Sequence, residues 1–242
     1  MFTKIRNPFS FSQLVLLIFS TVHVLLTNAQ DTGNIRPPLT NNWRVYKTQV
    51  LHDPAKKMIE LRSLIPDLIY DLRYATHDNF MNRRMYPIGT NTTFLRKPAA
   101  EALQKVQETL KAKGLGLKIF DAYRPWSVTA KFWELVHDER FVANPSKGSG
   151  HNRGISVDLT LINLNTSEEL NMGTGFDNFT DTAHADFKQL PADVLQNRQI
   201  LRSAMEQQGF KVLDTEWWHF YLPNASGFEI LDIPFRKLSK RL

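Results

Sequence analysis

Between residues 155 and 164 apolar and polar positions alternate. Ile155, Val157, Leu159 and Leu161 stand against Ser156, Asp158 and Thr160, until Ile162 breaks the period. Period-two alternation predicts a strand, here a largely buried one. A helical period takes over elsewhere. Pro98 opens a helix at a position where its missing N–H costs nothing. Ala99, Ala102, Leu103, Val106 and Leu110 then form one apolar stripe, and Gly114 stops it. Leu115 to Phe120 reads as a strand, closed by the turn Asp121-Ala122-Tyr123-Arg124-Pro125. Ser127 is placed to cap a second helix running to about Arg140, with Val128, Phe132, Leu135 and Val136 as its apolar side. A third helix covers Ala192 to Gln208, carrying Val194, Leu195, Leu201, Ala204 and Met205, with Gly209 as stop. Phe210 to Leu213 and Trp217 to Leu222 read as a final hairpin.

The remaining stretches read as connections. Met58 to Tyr74 favours extended structure broken at Pro66, and 75 to 96 is a long loop of the kind that often carries function. Asn144-Pro145-Ser146-Lys147-Gly148 is a loop leading into the central strand. Asn171 to Asp186, rich in Gly, Asn and Asp, predicts a structured loop packed by its own Phe176 and Phe179, with Phe187 just after.

The N-terminus changes the picture of where the fold begins. Lys4 and Arg6 precede an apolar run from Leu14 to Leu26, and Thr27-Asn28-Ala29 offers small residues for cleavage. That pattern predicts a secretory signal peptide over 1–29, and the run is short for a membrane span. Cleavage after Ala29 would leave 242 − 29 = 213 residues and lower the net charge from +6 to +4 by removing Lys4 and Arg6. The expected product is secreted or periplasmic, with no stable membrane anchor. Residues 30 to 42 are polar and contain Pro37-Pro38, so 30–45 is expected to be a mobile leader and 46–242 the folded domain. The chain has no cysteine, so an exported fold must do without disulfides, and any zinc site must use His, Asp or Glu. The basic excess is unclustered apart from Arg236-Lys237 and Lys240-Arg241, which read as solvated, and no nucleic-acid partner is expected. Sequons begin at Asn91, Asn165, Asn178 and Asn224, and they matter only in a eukaryotic secretory pathway.

The candidate chemistry lies in Ser149-Gly150-His151-Asn152-Arg153-Gly154-Ile155-Ser156-Val157-Asp158. A carboxylate inside a buried strand needs a partner. Zinc is one, since imidazole and carboxylate are both ordinary ligands. The alternative is an Asp bonded to backbone with a loop histidine beside it. His151 and Asp158 converge only if the chain turns at Asn152-Arg153-Gly154. Glu216-Trp217-Trp218-His219 is the second motif. His219 would complete a set of two histidines and one carboxylate, the catalytic zinc arrangement with one position left open. Glu216 is then left as a base. On a regular strand, residues three apart face opposite sides, so Glu216 and His219 share a cleft only if the strand bends near Trp217 or Trp218. His52, His77, His137 and His184 match no ligand pattern.

Together, Ser149-x-His151-x-x-Gly154-x-x-x-Asp158 and Glu216-x-Trp218-His219 resemble the metallopeptidases grouped with D-Ala-D-Ala carboxypeptidases and the Hedgehog signalling domain. Three further stretches narrow the resemblance to the VanX-like D-alanyl-D-alanine dipeptidases: Tyr70 to Thr76 with Asn79-Phe80, Asp121 to Pro125, and Met172 to Asp177. The match spans roughly 60 to 222. One departure is Ser156, where the family commonly has a small residue such as Ala.

The resemblance implies one zinc per chain, bound by His151, Asp158 and His219. It implies Glu216 as general base and then proton donor, and Arg124 as oxyanion stabiliser; for Arg124 the alternative is a structural salt bridge, perhaps to Asp121. It implies Asp177 as anchor of the substrate ammonium, assisted by Tyr74 and Ser149. The substrate class would be D-Ala-D-Ala or related D-amino-acid dipeptides. The implied fold is α+β: a single domain with a central, mostly antiparallel sheet, flanking helices and a zinc cleft. A D,D-carboxypeptidase on peptidoglycan stems shares this chemistry. A non-enzymatic zinc module like the Hedgehog domain would need neither Glu216 nor Arg124.

Overall fold

The computed structural model describes residues 36–240. In chain order its elements are β1 (Leu39–Thr40), α1 (Trp43–His52), β2 (Met58–Glu60), α2 (Leu61–Leu64), β3 (Ile69–Tyr70), β4 (Phe94–Arg96), α3 (Lys97–Lys111), β5 (Leu115–Asp121) and α4 (Trp126–Val136). They continue with α5 (Gly150–Arg153), β6 (Ser156–Asn163), α6 (Ala192–Gln207), β7 (Lys211–Leu213), β8 (Glu216–Tyr221), β9 (Ile230–Leu231) and α7 (Phe235–Ser239). Five strands form the central sheet in the order β3-β5-β6-β8-β7, antiparallel except for the parallel β3–β5 pair. This is the α+β arrangement the sequence implied.

The predicted stripe of α3 is buried at Ala99, Leu103, Val106 and Leu110, and α6 buries Leu201, Ala204 and Met205. Both pack with Leu117 and Ile119 of β5 and with Val157, Leu159 and Leu161 of β6. Each fully buried leucine of this seam contributes about 1.5–3 kcal/mol. A second cluster, rich in aromatics, joins Tyr46, Tyr74, Phe94, Tyr123, Phe132 and Phe235. All of β6 but its last residue is buried, so Ser156, Asp158 and Thr160 face protein and not solvent.

Several local expectations are corrected. The chain is structured before residue 46: β1 pairs in parallel with β9, and Asn42 caps α1 by accepting from the N–H groups of Arg44 and Val45. The Tyr46 hydroxyl then accepts from the Met58 N–H at 2.7 Å, tying α1 to β2. The extended run from Met58 is interrupted by α2, because the Glu60 carboxylate accepts from the Ser63 N–H at 2.7 Å and caps a turn. Helix α4 begins after Pro125 without a side-chain cap; the Ser127 N–H bonds instead to Asp232 Oδ1 at 2.9 Å. It ends at Val136, where His137 adopts φ +50°. The 171–186 loop packs less on itself than on other elements: Phe176 stacks on Phe120 with centroids 4.9 Å apart, and Phe179 meets Phe80 and Phe141. The expected signal peptide lies outside the described residues. No described helix is long and apolar enough to cross a membrane.

Candidate active site

Register builds the site. Asp121 of β5 lies opposite Asp158 of β6, which lies opposite His219 of β8. Like charges directly opposite are destabilising, so this row needs cations. His151 arrives from α5, a single turn with no apolar stripe to stabilise it. It is held by a capping box: Ser149 Oγ accepts from the Asn152 N–H, and Asn152 Oδ1 accepts from the Ser149 N–H at 3.0 Å. The Asn152 amide also donates to the Arg124 carbonyl and to Thr129 Oγ1, both at 2.8 Å. Gly154 ends the turn at φ +72°, a conformation that favours glycine. A Cβ on Gly150 would stand 1.9 Å from Ser156 Oγ, so this crossing tolerates only small residues.

Three ligand-type atoms converge. His151 Nε2 is 3.3 Å from His219 Nδ1 and 3.4 Å from Asp158 Oδ2, and His219 Nδ1 is 2.9 Å from Asp158 Oδ1. Zinc bonds of about 2.0–2.1 Å in a tetrahedron require ligand atoms about 3.3–3.4 Å apart, so the set fits zinc with little adjustment. His151 Nδ1 lies 2.6 Å from the Ala122 carbonyl, which can only accept. The ring proton therefore sits on Nδ1, and Nε2 turns its lone pair to the cluster. Burial would raise the Asp158 carboxyl, but the His151 and His219 imidazoles hold it well below the usual carboxylate range. Among the described residues this is the one His/Asp/Glu group able to hold a metal.

Glu216 stands beside the set without joining it. Its Oε2 is 3.9 Å from His219 Nδ1, beyond hydrogen-bond reach. Burial raises its carboxyl above the ordinary range, towards the pH where a base is useful. The strand irregularity that this placement requires is present: β7 advances one residue from Val212 to Leu213 while its partner on β8 jumps from Phe220 to Glu216. Trp217 and Trp218 are both buried, on opposite faces of a strand whose neighbour β6 is covered on both sides.

Arg124 is both a salt-bridge partner and a cleft residue. Its Nε and Nη2 donate to Asp121 Oδ2 at 3.0 and 2.8 Å, and its guanidinium carbon lies 5.0 Å from the Tyr74 and Phe132 ring centres. The Tyr86 hydroxyl, which also bonds Asp121, meets the guanidinium, and Arg124 borders the cleft. Asp121 is completed by the Ala122 N–H and the Tyr86 hydroxyl. From sequence, Asp121 is a possible salt-bridge partner of Arg124 and no more. The signal was there: Asp121 ends a buried strand, the same feature that marked out Asp158.

Asp177 lies across the cleft at φ +58°, in the left-handed region. Its Oδ1 accepts from the Tyr74 hydroxyl at 3.0 Å, while Oδ2 is buried with no partner. Burial pushes its carboxyl up to about 8, and the Tyr74 bond offsets only part of that. An unpaired buried carboxylate oxygen is costly, and a cation from outside would complete it. All eight predicted site residues border one cleft of about 290 Å³, at the small end of ligand pockets. Phe80, Phe132 and Phe179 also border it; each stands out on its own segment, but only the tertiary fold brings the three to one cleft.

Fold and site together define a zinc metallopeptidase. The family model Peptidase_M15, D-ala-D-ala dipeptidase, matches residues 54–240, and the chain belongs to this family. It is 35% identical over 175 residues to the D-alanyl-D-alanine dipeptidase of Escherichia coli (strain K12), covering 72% of this chain and 89% of that one. The D-alanyl-D-alanine dipeptidase of Enterococcus faecalis (strain ATCC 700802 / V583) is 32% identical over 180 residues, covering 67% and 89%. A solved structure of the LdcB LD-carboxypeptidase aligns at TM-score 0.37 and 20% identity, over 55% of this chain and 61% of that one.

Proposed function

We propose that this chain is an exported dipeptidase that hydrolyses D-alanyl-D-alanine. The observation that carries the substrate reading is Asp177: a carboxylate with one buried, unpartnered oxygen across a small cleft from the His–Asp–His set. Relatives named for this activity share about a third of their residues with the chain. Export rests on the basic, apolar and small-residue sequence of the first 29 residues.

His151, Asp158 and His219 would hold zinc. When bound, the metal would lower the pKa of a coordinated water and polarise the scissile carbonyl. The chain's own groups do the rest. Asp177 and Tyr74 take the free ammonium of the dipeptide, which fixes the scissile bond relative to Glu216. Glu216 accepts a proton from the attacking water and returns it to the leaving amine as the C–N bond breaks, giving two alanines. Arg124, held rigid by Asp121, presents its remaining N–H groups where negative charge develops on the carbonyl oxygen. Ser149 keeps a hydroxyl proton to donate, because its cap bond uses the oxygen as acceptor.

Two tests follow from these assignments. Arg124→Ala should lower kcat by about a hundredfold to a thousandfold with zinc retained, the scale of one lost oxyanion donor. Lys should rescue only in part, since it cannot hold the forked contact to Asp121. Unchanged kcat in the Ala variant would leave Arg124 a purely structural partner of Asp121. The second test concerns Asp177. An N-acetylated substrate brings no cation and leaves the carboxylate buried and unpaired. D-Ala-D-Ala should be cleaved far faster than N-acetyl-D-Ala-D-Ala, and Asp177→Asn should erase most of that preference. Equal wild-type rates on the two would point to a carboxypeptidase acting on longer stems.

A further inference from the structure

Helix α6 carries a charge on its buried side. Val194, Leu201 and Met205 face the core, and Arg198 sits among them, 7% exposed. Among the described residues no carboxylate lies within ion-pair distance of it. Its donors go to backbone carbonyls: Nε to Met172 at 2.8 Å, Nη2 to Thr182 at 2.9 Å and Nη1 to His184 at 3.1 Å. Next to it, the Asn197 amide donates to the Asn171 carbonyl at 2.9 Å. A buried cation without a counter-charge is expensive, and burial pushes this one down to about 10. A leucine or methionine would suit the core better, so a reason for the arginine is called for.

The carbonyls it binds lie on the two stems of one loop, 172 on the way in and 182 and 184 on the way out. Asp177 is near the middle of that excursion, in a left-handed conformation. Among the described residues, the backbone groups of 173–181 bond only within the loop, apart from the Gly173 N–H to Asn171 Oδ1 at its root. The loop's other polar ties are side-chain bonds, Tyr74 to Asp177 and Trp217 Nε1 to Thr174 Oγ1 at 2.8 Å. The Arg198 guanidinium also lies 5.7 Å from the Trp217 ring centre, one residue from Glu216. A planar fork with several fixed donors can close two stems at once; an ammonium on a flexible stem cannot do so equally.

Building on the reading of Asp177 as the ammonium anchor, we propose that Arg198 is a positioning residue for substrate selection. It clamps the stems of the 172–184 loop so that Asp177 keeps its aim into the cleft, and it touches neither substrate nor metal ligands. In the zinc-loaded enzyme, Arg198→Met is expected to raise KM for D-Ala-D-Ala by roughly tenfold to a hundredfold, the cost of a displaced binding group. It should change kcat less and leave the low rate on N-acetyl-D-Ala-D-Ala unchanged, so the preference for a free ammonium falls by the same factor. Arg198→Lys should fall between Met and wild type, and Arg198→Met combined with Asp177→Asn should lose no more preference than Asp177→Asn alone. Equal losses on both substrates, or an unchanged preference, would overturn the proposal. Should the Met variant fail to fold, the Lys variant, which keeps the charge and loses the fork, decides by the same ratio. If Asp177→Asn itself leaves the preference intact, the anchor reading fails and this proposal with it. If Asp177→Asn lowers the preference and the Arg198 variants do not, only the clamp is wrong.

Discussion

Glu216→Gln is expected to fold normally, keep its zinc and lose roughly a hundredfold to ten-thousandfold in kcat, the scale of one general acid–base group. That is about 2.7–5.5 kcal/mol of barrier. The substitution keeps the side-chain volume and removes only the basic oxygen. Because Glu216 Oε2 stands 3.9 Å from His219 Nδ1 and outside the converging set, metal content should not follow activity down. Its raised pKa, set mainly by burial, also makes the ionised form the costly one, so the Gln variant should be no less stable than wild type. Metal analysis and single-turnover rates on one sample separate the cases. Loss of zinc would make Glu216 a ligand; surviving activity would show that another group takes the proton.

His219→Ala is expected to bring zinc from one per chain to a small fraction and to abolish turnover. One of only three converging protein ligands is gone, and losing merely a hydrogen-bonding partner behind a ligand already costs about 10–100-fold in affinity. Asp158→Asn is the sharper companion. It keeps the shape, removes the carboxylate opposite Asp121 and so relieves a like-charge pair in the ladder. Yet because the His151 and His219 imidazoles hold the Asp158 carboxyl low, its ionised form stabilises the zinc-free fold at neutral pH. The zinc-free Asn variant should therefore melt below zinc-free wild type, while its zinc affinity also falls. Added zinc at a hundred times Kd should stabilise the wild type by about 2.7 kcal/mol and neither variant by a comparable amount. Stoichiometric zinc in His219→Ala would remove that residue from the set.

Much of this protein can be read from its sequence because the relevant signals are local. Helix α3 and strand β6 are each specified by a period of apolar residues within one element, and both formed nearly where the pattern put them. The chemistry of the cleft was legible only from two motifs together: a carboxylate in a buried strand and a histidine after a small-residue turn fit a backbone-bonded Asp as well as a metal, and Glu216 to His219 completed the zinc set. Asp121, at the end of another buried strand, carries the same mark as Asp158.

What the sequence could not decide depends on pieces far apart in the chain. Which side chains meet across β5, β6 and β8 is a matter of register, and a slip of one residue would send His219 to the other face. Asp158 meets His219 because the ladder pairs them, and Glu216 reaches the same cleft because β7 and β8 lose step between Val212 and Leu213. The polar start of the chain looked mobile because nothing nearby could pair with Leu39–Thr40; its partner strand lies at Ile230–Leu231. Nothing local sets Asp177 apart from other loop aspartates; only the family resemblance points to it. Its unpaired oxygen, its left-handed backbone and the arginine behind its loop arise only when the helix at 192–207 packs beside it. Local periodicity sets the elements because its free energy lies within a few turns of chain. The site forms only in tertiary packing, because its charged groups lie on three separate strands and a turn that only the sheet brings together.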